Sequence, residues 1–111
     1  MNESTTKSFR FSASHSEGSK VIGKNYIMEV TTRALSAKEE TEFEKTVESR
    51  LLRHLESRDL GLEVEFLKDI EITDANLLKV FWGLLEKGAP FVQILSLSLI
   101  RDSKTKTTVS I

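Results

Sequence analysis

The residues whose types suggest chemistry begin in one stretch, FSASHSEGSKVIGKNYIMEV, residues 11–30. His15 ends its alternating first part, a glycine-bearing turn follows, and a second strand-like run continues from Lys24. An imidazole at a strand end suits metal ligation or proton transfer near neutral pH. A catalytic zinc, however, needs three protein ligands and an open position for water or substrate. The only other histidine, His54, lies far along the chain, and cysteine is absent. That absence removes thiolate ligands, thiol nucleophiles and disulfides. On residue types alone His15 reads as a polar group left at a strand end. His54 reads as the flank of a helix, and no metal site is expected.

Two strands must carry these residues. Residues 5–14, TTKSFRFSAS, alternate, with Phe9, Phe11 and Ala13 on one face and Ser8, Arg10, Ser12 and Ser14 on the other. Residues 24–35, KNYIMEVTTRAL, are rich in β-branched and aromatic types, and the short turn holding Gly18 and Gly23 predicts a hairpin. At Ser36 the period changes. SAKE is a capping box, and Phe43, Val47, Leu51 and Leu55, with Leu52 beside them, draw an apolar stripe on a helix over 37–57. Thr73 is a suitable N-cap for a second helix, with Leu77, Leu78, Phe81, Leu84 and Leu85 inward and Gly88 placed as its C-terminal glycine. Trp82 fits helix packing. Leu95, Leu97 and Leu99 then alternate with Ser96 and Ser98, and a polar turn near Asp102–Lys104 leads into a Thr/Val strand. The order is ββααββ: an α+β fold with a four-stranded antiparallel sheet and two helices on one face.

Composition narrows the function classes. The 111 residues fit one domain over 1–111, with a polar first five residues expected to be loose. Sixteen basic side chains against 17 acidic ones give no general pull toward nucleic acid or anionic membranes. No apolar run approaches the roughly 20 residues of a membrane span. The opening MNESTTKSFR lacks the apolar region of a signal peptide. A cytoplasmic protein with no nucleic-acid and no membrane partner is expected.

Three stretches carry a family resemblance. FSASH…GKNYIMEV looks like F-x-A-A-H…H-G-H-N-Y-x-V-E-V, LESRDLGLEVEFLKDI resembles the L-D-H-x-x-L-N segment and its sequel, and ITDANLLKVFWGLL resembles P-T-x-E-N-L-A-x-x-I-W-x-x-L. These motifs belong to the 6-pyruvoyltetrahydropterin synthase and 6-carboxytetrahydropterin synthase family. The resemblance spans essentially the whole chain and implies that family's tunnelling fold. It also implies a zinc bound by three histidines, and here the sequence departs from the pattern. His15 matches the first, but Ile22 and Lys24 stand at the other two positions. Isoleucine has no electron pair to donate, and an ammonium repels a dication. The Asp-His pair that handles protons is matched by Glu56-Ser57, and the glutamate of P-T-x-E-N by Ala75. The late-strand glutamate that anchors the pterin ring is matched by Arg101, which has donors where the anchor needs acceptors.

The expectation is a pseudoenzyme that has lost the family's zinc and lyase chemistry and carries no cofactor. Its old pocket, holding Lys24, Arg101 and His15, would have turned basic and would suit a carboxylate or phosphate. The competing expectation is a metal-independent enzyme of pterin or related heterocycle metabolism, with Glu17, Glu56 or Lys24 as base. The resemblance further implies a ring-forming homo-oligomer, a trimer or a hexamer, or co-assembly with an active paralogue. A four-stranded sheet with unprotected edges gives an independent physical reason for assembly.

Overall fold

The computed structural model of the chain describes residues 3–17 and 20–111, apart from the side chain of Glu17. Strand β1 (Ser4–Glu17) pairs antiparallel with β2 (Lys20–Arg33) over the full length of both. It begins inside the stretch expected to be loose, because Ser4, Thr5 and Thr6 find partners in Arg33, Thr32 and Thr31. The turn itself, with Gly18, lies outside the described residues. Gly23 does not belong to it but sits within β2, opposite Ser14.

The first helical rod has three parts: α1 (Ala37–Val47), a π turn (Glu48–Leu52) and α2 (Arg53–Leu55). Ser36 caps it as expected, accepting from Glu39 N while the Glu39 carboxylate accepts from Ser36 N. The spacing of the stripe explains the π turn. Phe43, Val47, Leu51 and Leu55 are all buried, yet steps of four residues would drift by about 120° over three repeats of a 3.6-residue helix. A stretch of wider i→i+5 bonding, with Arg53 N donating to Glu48 O, takes up that drift and holds the stripe on the core.

After a short 3₁₀ turn (Glu65–Leu67), the second rod, α3 (Asp74–Gly88), packs Leu77, Leu78, Phe81 and Leu85 inward. Gly88 is its last residue, at the C-terminal place expected from the sequence. Its backbone is not in the left-handed region, and a Cβ built there would lie 2.7 Å from Thr46 Cγ2 and 3.2 Å from Arg50 Cγ. It is there to let the two rods approach.

Strands β3 (Ile94–Arg101) and β4 (Thr105–Ser110) complete a four-stranded antiparallel sheet ordered β1-β2-β3-β4. A register shift between Thr31 and Thr32 skips Leu95, so Ile94 joins Leu97 and Leu99 in the core and Leu95 does not. Both helical rods lie on one face, against Phe11, Ala13, Tyr26, Met28 and Val30. Phe11 stacks on Tyr26 at 4.9 Å and meets Phe81 edge-on at 6.4 Å. No helix among the described residues is long and apolar enough to cross a membrane.

The two outer edges differ. Along β1 at Ser12–Ser14 the edge is covered: Ser57 N donates to Ser12 O, Ser14 N to Arg58 O, and Leu60 N to Ser14 O. Asp59 fixes this latch from a buried position, accepting from Gly61 N, Leu62 N and Ser16 Oγ. No described strand covers the outer side of β4, or of β1 before Ser12.

Candidate ligand pocket

Pairing in the hairpin decides which side chains share a face. His15 faces Ile22, Ala13 faces Lys24 and Phe11 faces Tyr26. Since Phe11 and Tyr26 point to the helices, period-two alternation sends His15, Ile22 and Lys24 to the same side. β3 begins its pairing with β2 only at Arg101↔Tyr26, so the hairpin runs on past the rest of the sheet. The tight β3–β4 turn stops Arg101 at this point. Asp102 and Ser103 have φ of 51° and 58°, and Lys104 N donates to Arg101 O at 3.0 Å, within a three-residue connection that pairs Arg101 with Thr105.

The start of α3 closes the space above. Thr73 caps it, with Oγ1 accepting from Asn76 N at 3.1 Å, and Asn76 Nδ2 donates to Glu71 O at 3.0 Å. This sets Asp74 in the first helical turn, where a carboxylate is favoured by the helix dipole. His15, Lys24, Tyr26, Thr73, Asp74 and Arg101 thereby line one cavity of about 270 Å³. Three residues singled out in the sequence, His15, Lys24 and Arg101, are brought together.

The pocket is not uniformly basic. Arg101 Nε donates to Asp74 Oδ2 at 3.2 Å, and that carboxylate is only 14% exposed. A guanidinium oriented by a largely covered carboxylate thus lines the same cavity as Lys24. Burial, and next the charge of Asp74, push the Tyr26 phenol up to about 12, so at neutral pH it is an O–H donor. Asp74 and Tyr26 were missed as site residues. An Asp after a Thr N-cap reads as helix capping, and a Tyr in an alternating run reads as core. Only the strand register reveals that both face the space beside Arg101.

The other candidates lie elsewhere. Glu56 reaches the outer edge of β1, where Oε2 accepts from Ser12 N at 3.1 Å, and it lines a separate cavity of about 430 Å³ with Arg10, Asn25 and Ser103. The adjacent Ser57 has φ 58° and serves the backbone latch. The Glu17 side chain lies outside the described residues. His54 is exposed and meets Phe66 edge-on at 6.0 Å. Among the described residues, no three His, Cys, Asp or Glu side chains gather as a metal site.

Comparison with solved structures gives a close match in shape. The 6-pyruvoyl tetrahydropterin synthase of Caenorhabditis elegans superposes with a TM-score of 0.85, at 18% identity, over 100% of this chain and 96% of that one. The chain thus has the tunnelling fold of that enzyme, and the ββααββ order expected from the sequence is the observed one. No protein-family sequence model and no curated protein sequence matches the chain.

Proposed function

We propose that this chain is a non-catalytic relative of the pterin synthases, a cytoplasmic protein whose pocket holds a small anionic or pterin-like planar compound without zinc. One observation carries the reading: Lys24, Arg101, Tyr26 and Asp74 converge on the cavity beside His15. Arg101, held by Asp74, and Lys24 provide charged donors for a carboxylate or phosphate. Tyr26 adds a neutral donor, and the Asp74 carboxylate supplies an acceptor for ring N–H groups.

The donor set does not suit the zinc of the pterin synthases. His15 faces Ile22 directly across the hairpin, and Lys24 is the next residue of β2 on that face. One imidazole next to a hydrocarbon and an ammonium offers too few electron pairs for a dication. With Glu56 on the far edge of β1, the metal-independent enzyme is the weaker reading, since no described carboxylate in this cavity other than the ion-paired Asp74 is placed as a base.

Assembly belongs to the same proposal. The uncovered sides of β4 and of β1 before Ser12 expose ladder groups that a second chain would satisfy, as rings of such sheets do. A homotrimer, a hexamer or a ring shared with an active paralogue would each meet that need.

A thermal-shift screen with pterins and with small carboxylates and phosphates tests the reading, repeated on Arg101→Ala and Lys24→Ala. The reading expects a ligand that raises Tm in the native protein and loses its effect in both variants. If none of these compounds shifts Tm, or if dihydroneopterin triphosphate is turned over, it fails.

A further inference from the structure

A second cavity, on another part of the molecule, combines three recognition chemistries. It is about 520 Å³ and lies where the π turn hands the chain to α2 and the segment after it. That volume falls within the range of small-molecule sites, about 300–1,000 Å³. Arg53 and Arg58 line it, and among the described residues neither guanidinium pairs with a carboxylate. The Phe66 ring, packed edge-on against His54, lines it as well. So does Glu63, whose Oε1 is fixed by Asp59 N at 3.0 Å. The remaining acid at this site, Glu65, is already offset by Lys68 at 3.6 Å.

The π turn decides that two of these groups arrive. Arg53 is the residue that closes it. In an uninterrupted α-helix the rotation at Arg53 and His54 would differ, because the π turn takes more residues per turn. Such turns recur at functional sites.

We infer that this cavity is a binding site for a nucleoside monophosphate, distinct from the pocket beside His15. The phosphate is held by the forks of Arg53 and Arg58, which match its oxygens in a way a lysine cannot. The base lies against the ring of Phe66, as aromatic side chains receive bases elsewhere. Glu63 accepts from the ribose hydroxyls, the task carboxylates perform in dinucleotide sites.

Calorimetric titration of the full chain with AMP tests the assignment, with adenosine and inorganic phosphate as partial probes. Saturable AMP binding is expected, weakened at least about tenfold by Arg53→Ala and by Arg58→Ala, the loss of a charge-assisted contact. Phe66→Leu, which keeps an apolar side chain, should weaken AMP and adenosine while leaving inorganic phosphate unchanged. Because the pocket beside His15 also suits a phosphate, the titrations are repeated in an Arg101→Ala background. There the AMP binding that Arg53→Ala and Arg58→Ala weaken should persist, which separates this site from the other pocket. The inference is overturned if AMP does not bind, if phosphate alone binds as tightly as AMP, or if both arginine variants retain native affinity.

Discussion

Replacing Gly88 with alanine tests the close approach of the two helical rods. In a helix interior the change would stabilise by up to about 1 kcal/mol, and by less at the last residue of α3. Opposing it, the new methyl would lie 2.7 Å from Thr46 Cγ2. Thr46 cannot turn away without cost, since its hydroxyl donates to Glu42 O at 3.1 Å and fixes the rotamer. Arg50 is a lesser obstacle, its Cγ at 3.2 Å lying on a flexible side chain. Overpacking of this kind costs about 1–3 kcal/mol. The expected balance is a loss of about 1–2 kcal/mol, or a fall in Tm of roughly 4–8 °C for a chain of this size. Urea denaturation should show a lower midpoint with an unchanged slope. Thr46→Ser removes the obstructing methyl and keeps the hydroxyl, so the double variant should recover about 1 kcal/mol relative to additivity. A Gly88→Ala protein as stable as the native one, or a cycle with no coupling, would refute the reasoning.

Two further outcomes follow from the same contacts. Because the Tyr26 phenol is raised to about 12 from 10.0, its contribution is fully present below pH 10 and is lost as pH rises from about 10 to 12. The loss has an upper bound of about 2.7 kcal/mol, reduced by solvent screening at the cavity. Tyr26→Phe should flatten stability against pH in that window, and an equally steep fall in the variant would contradict the assignment. Asp59→Ala strands the donors of Gly61, Leu62 and Ser16, and should cost about 2–3 kcal/mol. Amide exchange at Ser14 and Leu60 should accelerate more than at Met28 or Leu97 as the latch on β1 opens, whereas uniform acceleration would argue against a local role.

Much of this architecture could be read from residue order. The alternation around Phe9–Ala13, the capping box at Ser36 and the Thr73 cap each act locally, so the chain states them locally. What escaped reading is set by partners distant in sequence. Gly23 reads as a turn residue, but its conformation follows from pairing with Ser14. Gly88 reads as a C-terminal glycine, while its reason is Thr46 on the other rod. Leu95 obeys the alternation and is displaced by a bulge opposite Thr31–Thr32. The latch joins Asp59 to Ser16 across 43 positions, which no periodicity signals. In the pocket, His15, Lys24 and Arg101 could be named from the family resemblance, but Asp74 could not, and it changes the pocket from basic to mixed charge.

The central claim is that the face of the hairpin carrying His15, Ile22 and Lys24 takes a small anion and not a divalent cation. Elemental analysis of the purified protein, after dialysis against zinc and then against metal-free buffer, tests it most directly. Zinc far below one ion per chain is expected, with Tm the same before and after. One zinc per chain, removed by chelator and lost in His15→Ala, would contradict it.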